Sequence, residues 1–225
     1  MPLTSLASPA ASAAVDLERL AQDYRPALAQ VVLQLDDVRR TLRDQLGHDP
    51  VEHVSWRLKS PDSILAKARR KRIALCEEGL RREMLDLAGL RLVCAFLSDL
   101  REVRNAVLAL PGITLLDERD YVRHPKASGY RALHLIVEVP VHRADGAHGA
   151  VVEIQLRSVA MDFWACLEHR LAYRHHGRPP VRVAASLRRA AALARALDES
   201  MDRIRDHARS HVHAPQRELA PVGSS

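Results

Sequence analysis

The sequence predicts an α+β domain, a mixed β-sheet flanked by N-terminal and C-terminal helices. Three observations carry that prediction. Apolar residues recur at helical spacing near the start, the middle of the chain switches to a period of two, and an Ala/Arg-rich helical pattern returns near the end. At 225 residues the chain is long enough for one such domain with a sizeable core, and 47% hydrophobic residues can fill it. No internal repeat interrupts the order.

Residues 1–14 are rich in Ala, Ser and Pro and are expected to be disordered. Over 15–46, Leu17, Leu20, Tyr24, Leu28, Val31, Leu35, Val38 and Leu42 define one long amphipathic helix, closed by Gly47 and kept from resuming by Pro50. An extended piece over 53–58 leads to Ser60-Pro61-Asp62, a helix start with proline in the first turn. That helix is expected to run to about Glu78. A buried strand over 90–97 is followed by a helix over 100–110, ended by Pro111-Gly112. A short strand over 113–116 extends toward Tyr121. Residues 130–139 and 151–157 alternate in strand fashion, joined by the turn-rich RADGAHG. Helices over 161–174 and 183–207, separated by a break at 177–180, complete the order. The expected division is a disordered 1–14, a single domain over 15–208 and a disordered tail over 209–225.

The net charge of +6 suits a polyanionic ligand: nucleotide phosphates, RNA or an acidic membrane surface. Cys76, Cys94 and Cys166 lie far apart with no CxxC spacing, so reduced core thiols are the simplest reading. No signal-peptide pattern and no membrane-spanning apolar run is present, and the chain reads as cytoplasmic. Neither GxxxxGK[ST] nor GxGxxG occurs, and Glu168-His169 lacks the HExxH spacing of a zinc protease.

Four stretches can carry chemistry. In RLKSPDSILAKARRKR (57–72), Ser63, Lys67, Arg70 and Lys71 share one helical face, and Arg57 and Lys59 precede it. Such a face can clamp a triphosphate, with Ser63 at the helix start adding a hydroxyl. The competing reading is a solvated basic face or an RNA patch. Asp86 precedes a strand beside Gly89, a place suited to magnesium or, as the alternative, to a turn or cap. Arg91, on that strand, can stack on a base or contact phosphate. In VVEIQLR (151–157), alternation puts Val152, Ile154 and Leu156 on the core face and Glu153, Gln155 and Arg157 on the other. Glu153 can then ligate magnesium or accept a proton from a hydroxyl, unless this face is merely solvated. In YRALHLIVEV (130–139) Tyr130 offers a ring for a base and His134 a phosphate or hydroxyl contact; the competing reading is a structural Tyr and His, against which stands the upstream HPKASG loop presenting Lys126.

WRLKSPDSILAKARRK, LDLAGLRLVCAFLSDL, RDYVRHPKASGYRALHLIVEVP and VEIQLRSVAMDFWACLEHRLAYR, in this order, resemble the synthetase domain of the RelA/SpoT family. They cover most of residues 53–175, and the chain looks like a stand-alone small alarmone synthetase. The resemblance implies a nucleotidyltransferase-like sheet that moves pyrophosphate from ATP to the 3′-hydroxyl of GDP or GTP, with Mg2+ as cofactor and AMP released. Carried over residue by residue, it implies that Arg57 and Arg91 sandwich adenine and that Lys59, Ser63, Lys67 and Arg70 hold the ATP phosphates. Asp86 and Glu153 would bind the metal, Glu153 also activating the hydroxyl. Tyr130 would stack on guanine, with Lys126, His134 and Gln155 completing the acceptor site. Ala132 stands where the family usually has Ser, His124 and Ser128 where Asn is common, and Trp56 where a smaller residue is usual. These departures bear on affinity and nucleotide preference.

The resemblance further implies a homotetramer assembled through the terminal helices, with an alarmone or RNA as a possible regulator. Alarmone degradation and ribosome-coupled sensing are expected to be absent. The alternative to the enzyme is a catalytically silent, basic RNA-binding or regulatory module on the same fold. The pairing of Asp86 with Glu153 argues against it, because binding RNA phosphates needs no paired acids. A different nucleotidyl transfer on this fold is the third reading.

Overall fold

The computed structural model describes residues 15–143, 146–174 and 179–212. Its strands are β1 (Val51–Leu58), β2 (Ala88–Cys94), β3 (Thr114–Asp120), β4 (Leu133–Arg143) and β5 (Gly146–Ser158), joined in the order β1-β2-β5-β4-β3. The β2–β5 pair is parallel and the other three are antiparallel. The helices are α1 (Leu17–Gln22), α2 (Arg25–Leu46), α3 (Pro61–Lys71), α4 (Glu77–Glu83), α5 (Asp99–Leu108), α6 (Val159–Arg174) and α7 (Val181–Val212). This is the expected mixed sheet with flanking helices.

Register sorts the sheet into two faces. Leu90, Leu92, Leu133, Leu135, Ile154 and Leu156 pair with one another across β2, β5 and β4, and all are buried. Ala27, Leu28, Val31, Leu35, Val38 and Leu42 recur at three- and four-residue steps on α2, and Leu100, Val103 and Val107 on α5. Both helices pack on this apolar face, forming one continuous core. The opposite face is left for polar side chains.

Several boundaries differ from expectation, each for a local reason. The helix expected over 15–46 is two, because Pro26 lacks the N–H that would bond back across Asp23 and Tyr24. Gly47 closes α2 as expected, with φ 74° and its N–H on Arg43 O at 2.9 Å. The helix expected to reach Glu78 ends at Lys71. Arg72 turns left-handed at φ 57°, and Ile73 N–H bonds back to Ala68 O at 3.0 Å, a Schellman-type stop that buries Ile73 without a glycine. The separate short helix α4 then fills part of the gap. Strand β2 starts and ends earlier than expected, since Phe96 N–H turns to Asp99 Oδ2 at 3.2 Å. Strand β4 starts later, at Leu133, and the β4–β5 hairpin is longer at its far end. Helices α6 and α7 begin two residues earlier than expected, and α7 continues past His207 to Val212. The expectations for 1–14, for the tail beyond 212 and for the first half of the 177–180 break lie outside the described residues.

Asp49 fastens the end of α2 to β1. Its Oδ2 lies 2.8 Å from Arg39 Nη2 and 2.6 Å from Arg43 Nη2, and its Oδ1 accepts from Val51 N–H at 3.1 Å. Burial alone would raise its pKa, but the two guanidiniums and the backbone donor outweigh burial and hold it at about 2. A carboxylate depressed in the folded state stabilises above its unfolded pKa of ~3.9 and loses that contribution as pH falls through the folded value. Asp49→Asn is therefore expected to cost about 1 kcal/mol at neutral pH, after allowance for solvent screening. The Tm difference from the parent chain, measured by calorimetry, should shrink steadily between about pH 4 and pH 2.

Candidate active site

The polar face follows from the same register. Ser55 and Arg57 on β1 pair with Arg91 and Gly89 on β2, and these pair in turn with Gln155 and Glu153 on β5. Gln155 pairs with His134 on β4. Side chains directly opposite in a sheet share a face, so Arg57, Arg91, Glu153, Gln155 and His134 line up across four strands. Gly89 leaves the floor low: the Arg57 side chain passes over it, its Cγ 3.8 Å from where a Cβ would stand.

A cleft of about 260 Å³ opens between β1, β2 and β5, lined by Arg57, Asp86, Arg91, Glu153 and Gln155 among others. Asp86 reaches it from the turn before β2. Lys59 Nζ donates to its Oδ2 at 3.0 Å, and Lys67 Nζ stands 2.6 Å from its Oδ1. Burial pushes Asp86 up, but Lys67 and Lys59 together overcome it and keep the carboxyl below its usual range. Ser60 caps α3, its Oγ accepting from Ser63 N–H at 3.4 Å and donating to Ser63 Oγ at 2.9 Å. Arg57 and Arg70 are exposed, Arg70 on the last turn of α3.

On the far side of Glu153 the polar groups close into a ring. Glu153 Oε1 is 3.0 Å from His134 Nδ1, and its Oε2 accepts from Gln155 Nε2 at 2.8 Å. His134 Nε2 is 2.7 Å from Tyr130 Oη. Arg157 Nη2 donates to both Tyr130 Oη at 3.1 Å and Gln155 Oε1 at 2.9 Å. A bare Nδ1 facing a carboxylate would be repulsive, so the network assigns the His134 proton to Nδ1 and has Tyr130 donate to Nε2. Burial raises Glu153, yet the His134 and Gln155 donors more than offset it and leave the carboxyl below its usual range. Lys126 Nζ sits 4.5 Å from the Tyr121 ring centroid and 4.7 Å from that of Tyr130. Burial lowers its pKa.

Ten of the twelve sequence-predicted site residues thus fall on or beside one sheet face, in two groups that meet at Glu153, while Ser63, bonded to Ser60, and Arg70, exposed on the last turn, stay on α3. Tyr130, expected on β4, instead lies just before it. Gly129, at φ 97°, turns the chain there, and an added Cβ would stand 2.6 Å from Ala191 Cβ of α7. Three residues were not selected from sequence. Arg157 shares the β5 alternation with Glu153, so its signal was present. Tyr121 gives Lys126 a second ring. Asp162, in the first turn of α6, lies 2.8 Å from Arg157 Nη1 and 3.3 Å from Arg91 Nη1, which only the packing of α6 reveals.

A cleft in which two ionised carboxylates stand among lysines and arginines has the chemistry of a polyphosphate-transfer site. A family model described as the region found in RelA/SpoT proteins matches residues 56–178. GTP pyrophosphokinase YjbM of Bacillus subtilis (strain 168) is 41% identical over 188 residues, 84% of this chain and 88% of that protein. The crystal structure of small alarmone synthetase 1 from Bacillus subtilis bound to its product pppGpp superposes with a TM-score of 0.78 at 41% identity, covering 84% of this chain and 96% of that one. The same synthetase bound to AMPCPP gives 0.72 at 36%, covering 86% and 97%. The chain belongs to the RelA/SpoT family.

Proposed function

We propose that this chain is a GTP/GDP 3′-pyrophosphokinase, an alarmone synthetase that moves the β,γ-pyrophosphoryl group of ATP to the 3′-hydroxyl of GDP or GTP. The observation that carries the reading is the position of Glu153. It stands between a cation-lined cleft and the Lys126–Tyr130–His134 cluster, where a donor and an acceptor nucleotide would meet. Relatives bound to AMPCPP and to pppGpp support both kinds of nucleotide.

In this reading Arg57 and Arg91 hold adenine, and Lys59, Ser63, Lys67 and Arg70 hold the phosphates. Tyr130 stacks on guanine, with Lys126, His134 and Gln155 fixing the acceptor. The 3′-oxygen attacks the β-phosphorus, the bridge to the α-phosphate breaks, and AMP leaves with the bridging oxygen. Glu153, ionised at neutral pH, takes the hydroxyl proton. Positioning and charge neutralisation supply most of the rate.

Asp86 and Glu153 also fit a hard cation. Asp86 Oδ1 is buried and paired with the Lys67 ammonium at 2.6 Å, a monovalent cation where a divalent one could take its place. No cluster of three or more His, Cys, Asp or Glu forms a ready metal cage among the described residues. Magnesium needs only one or two carboxylates beside phosphate and water. Held by Asp86 and Glu153, Mg2+ would draw negative charge from the phosphates. The test is incubation with Mg2+, γ-labelled ATP and GDP or GTP. Labelled guanosine tetra- or pentaphosphate together with AMP is the expected result, and its absence from folded, nucleotide-binding protein would favour the RNA-binding reading.

The same reading includes a homotetramer. Helix α7 turns a polar stripe inward: Asp198 accepts from Arg131 at 3.4 Å, Asp202 from Ser98 N–H and Oγ at 3.1 Å each, and Arg205 donates to Asp99 at 3.1 Å. Several of its apolar residues face out, with Leu193 72% and Leu197 55% exposed beside Phe163 of α6 at 67%. They border a hollow of about 1220 Å³, a surface that a second copy would cover. Leu197→Asp is expected to reduce the assembly mass measured by light scattering; a parent chain that runs as a monomer would sink the tetramer. No described helix is long and apolar enough to cross a membrane, and we place the chain in the cytoplasm with its substrates.

A further inference from the structure

Arg157 is buried on β5 with its side chain 7% exposed, and it does not line the cleft. Guanidinium can only donate, so a buried arginine needs several fixed acceptors to repay its loss of hydration. It has three. Nη2 is shared between Tyr130 Oη and Gln155 Oε1, and Nη1 donates to Asp162 Oδ1. Its Cζ also lies 5.3 Å from the Tyr130 ring centroid, a cation–π contact.

These contacts fix directions as well as places. The Gln155 amide can point its NH2 at Glu153 only while its oxygen faces a donor, and Arg157 is that donor. Tyr130 can give its proton to His134 while its oxygen accepts from Arg157. One guanidinium therefore orders both arms of the ring that ends on the two oxygens of Glu153. We propose that Arg157 is a positioning residue for the acceptor half of the site, holding the Tyr130 ring and the Gln155 amide where the guanine nucleotide and Glu153 need them.

The Asp162 contact adds selectivity. Arg91, assigned to the donor nucleotide, pairs with the same Asp162 Oδ1 at 3.3 Å. If Arg157 is shortened, Arg91 keeps Asp162, so the donor half keeps its anchor while the acceptor half loses its own. A general loss of packing would damage both halves alike.

The inference rests on the pyrophosphokinase reading, and the test separates the two. Arg157→Lys keeps the charge but loses the planar fork. It is expected to lower kcat about 10–100-fold, the usual effect of removing a supporting contact. The KM for GDP should rise and that for ATP should change little. By calorimetric titration Arg157→Lys should bind GDP more weakly than the parent chain and AMPCPP equally well. Arg157→Ala, where it folds, should recover part of its rate when millimolar guanidinium is added. In a Tyr130→Phe background the Arg157→Lys effect should shrink, because one of its two routes is already cut. Unchanged GDP binding and kcat in Arg157→Lys, or equal losses for GDP and AMPCPP, would overturn the proposal. A parent chain that transfers nothing would instead overturn the reaction, and the two titrations would still decide the role of Arg157.

Discussion

Glu153→Gln is expected to lower transfer about a thousandfold while leaving the fold and metal-free nucleotide binding in place, an effect of ~4 kcal/mol on the barrier. The substitution keeps the shape and removes the base. One amide oxygen can still accept from His134 Nδ1 or from Gln155 Nε2, the partners that Glu153 now meets at 3.0 and 2.8 Å, but its NH2 faces whichever donor remains. One hydrogen bond is therefore lost, and the Tm should fall by only a few degrees. Because the Glu153 carboxyl lies below its usual range, the parent chain should keep its base ionised throughout the neutral region. Single-turnover assays with labelled ATP, alongside GDP and AMPCPP titrations, separate the step from binding. If Glu153→Gln retains a tenth of the parent rate, the base lies elsewhere.

Much of the site was legible because a strand leaves a simple record. Alternation over 151–157 fixed the face shared by Glu153, Gln155 and Arg157, and the register then added Arg57, Arg91 and His134. The helix carrying Ser63 and Lys67 was legible from its cap and its spacing. What failed depended on features without a local sign. Arg72 adopts a left-handed turn that sequence normally announces with glycine, so the end of α3 and the existence of α4 were hidden. Pro26 is a local sign of the α1–α2 break, but the apolar periodicity runs straight through it and reads as one helix. Asp162 belongs to the site only because α6 folds back over the sheet. Helix α7 buries Asp198 beside Ala191 and leaves Leu193 and Leu197 exposed, a placement that its helical spacing alone does not announce.

Asp86→Asn makes the second large prediction, and its sign differs between two measurements. In the structure Lys59 and Lys67 are engaged with Asp86, the groups assigned to the ATP phosphates being neutralised by the group assigned to the metal. Binding of ATP must draw the lysines away and leave the carboxylate facing the phosphates. Without a cation that exchange is unfavourable, since a carboxylate and a triphosphate would then share a cleft. With the cation it becomes favourable, so metal and nucleotide should bind with mutual reinforcement. Asp86→Asn removes the negative charge and releases both lysines. Transfer should fall about a thousandfold, because charge stabilisation at the phosphates is lost. AMPCPP binding measured in EDTA should become tighter than in the parent chain, while the gain on adding Mg2+ should largely vanish. A purely structural Asp86 would weaken binding in both conditions as the Lys59–Lys67 face came apart. Parallel loss of AMPCPP affinity with and without Mg2+ would therefore remove Asp86 from the metal site and return it to a packing role.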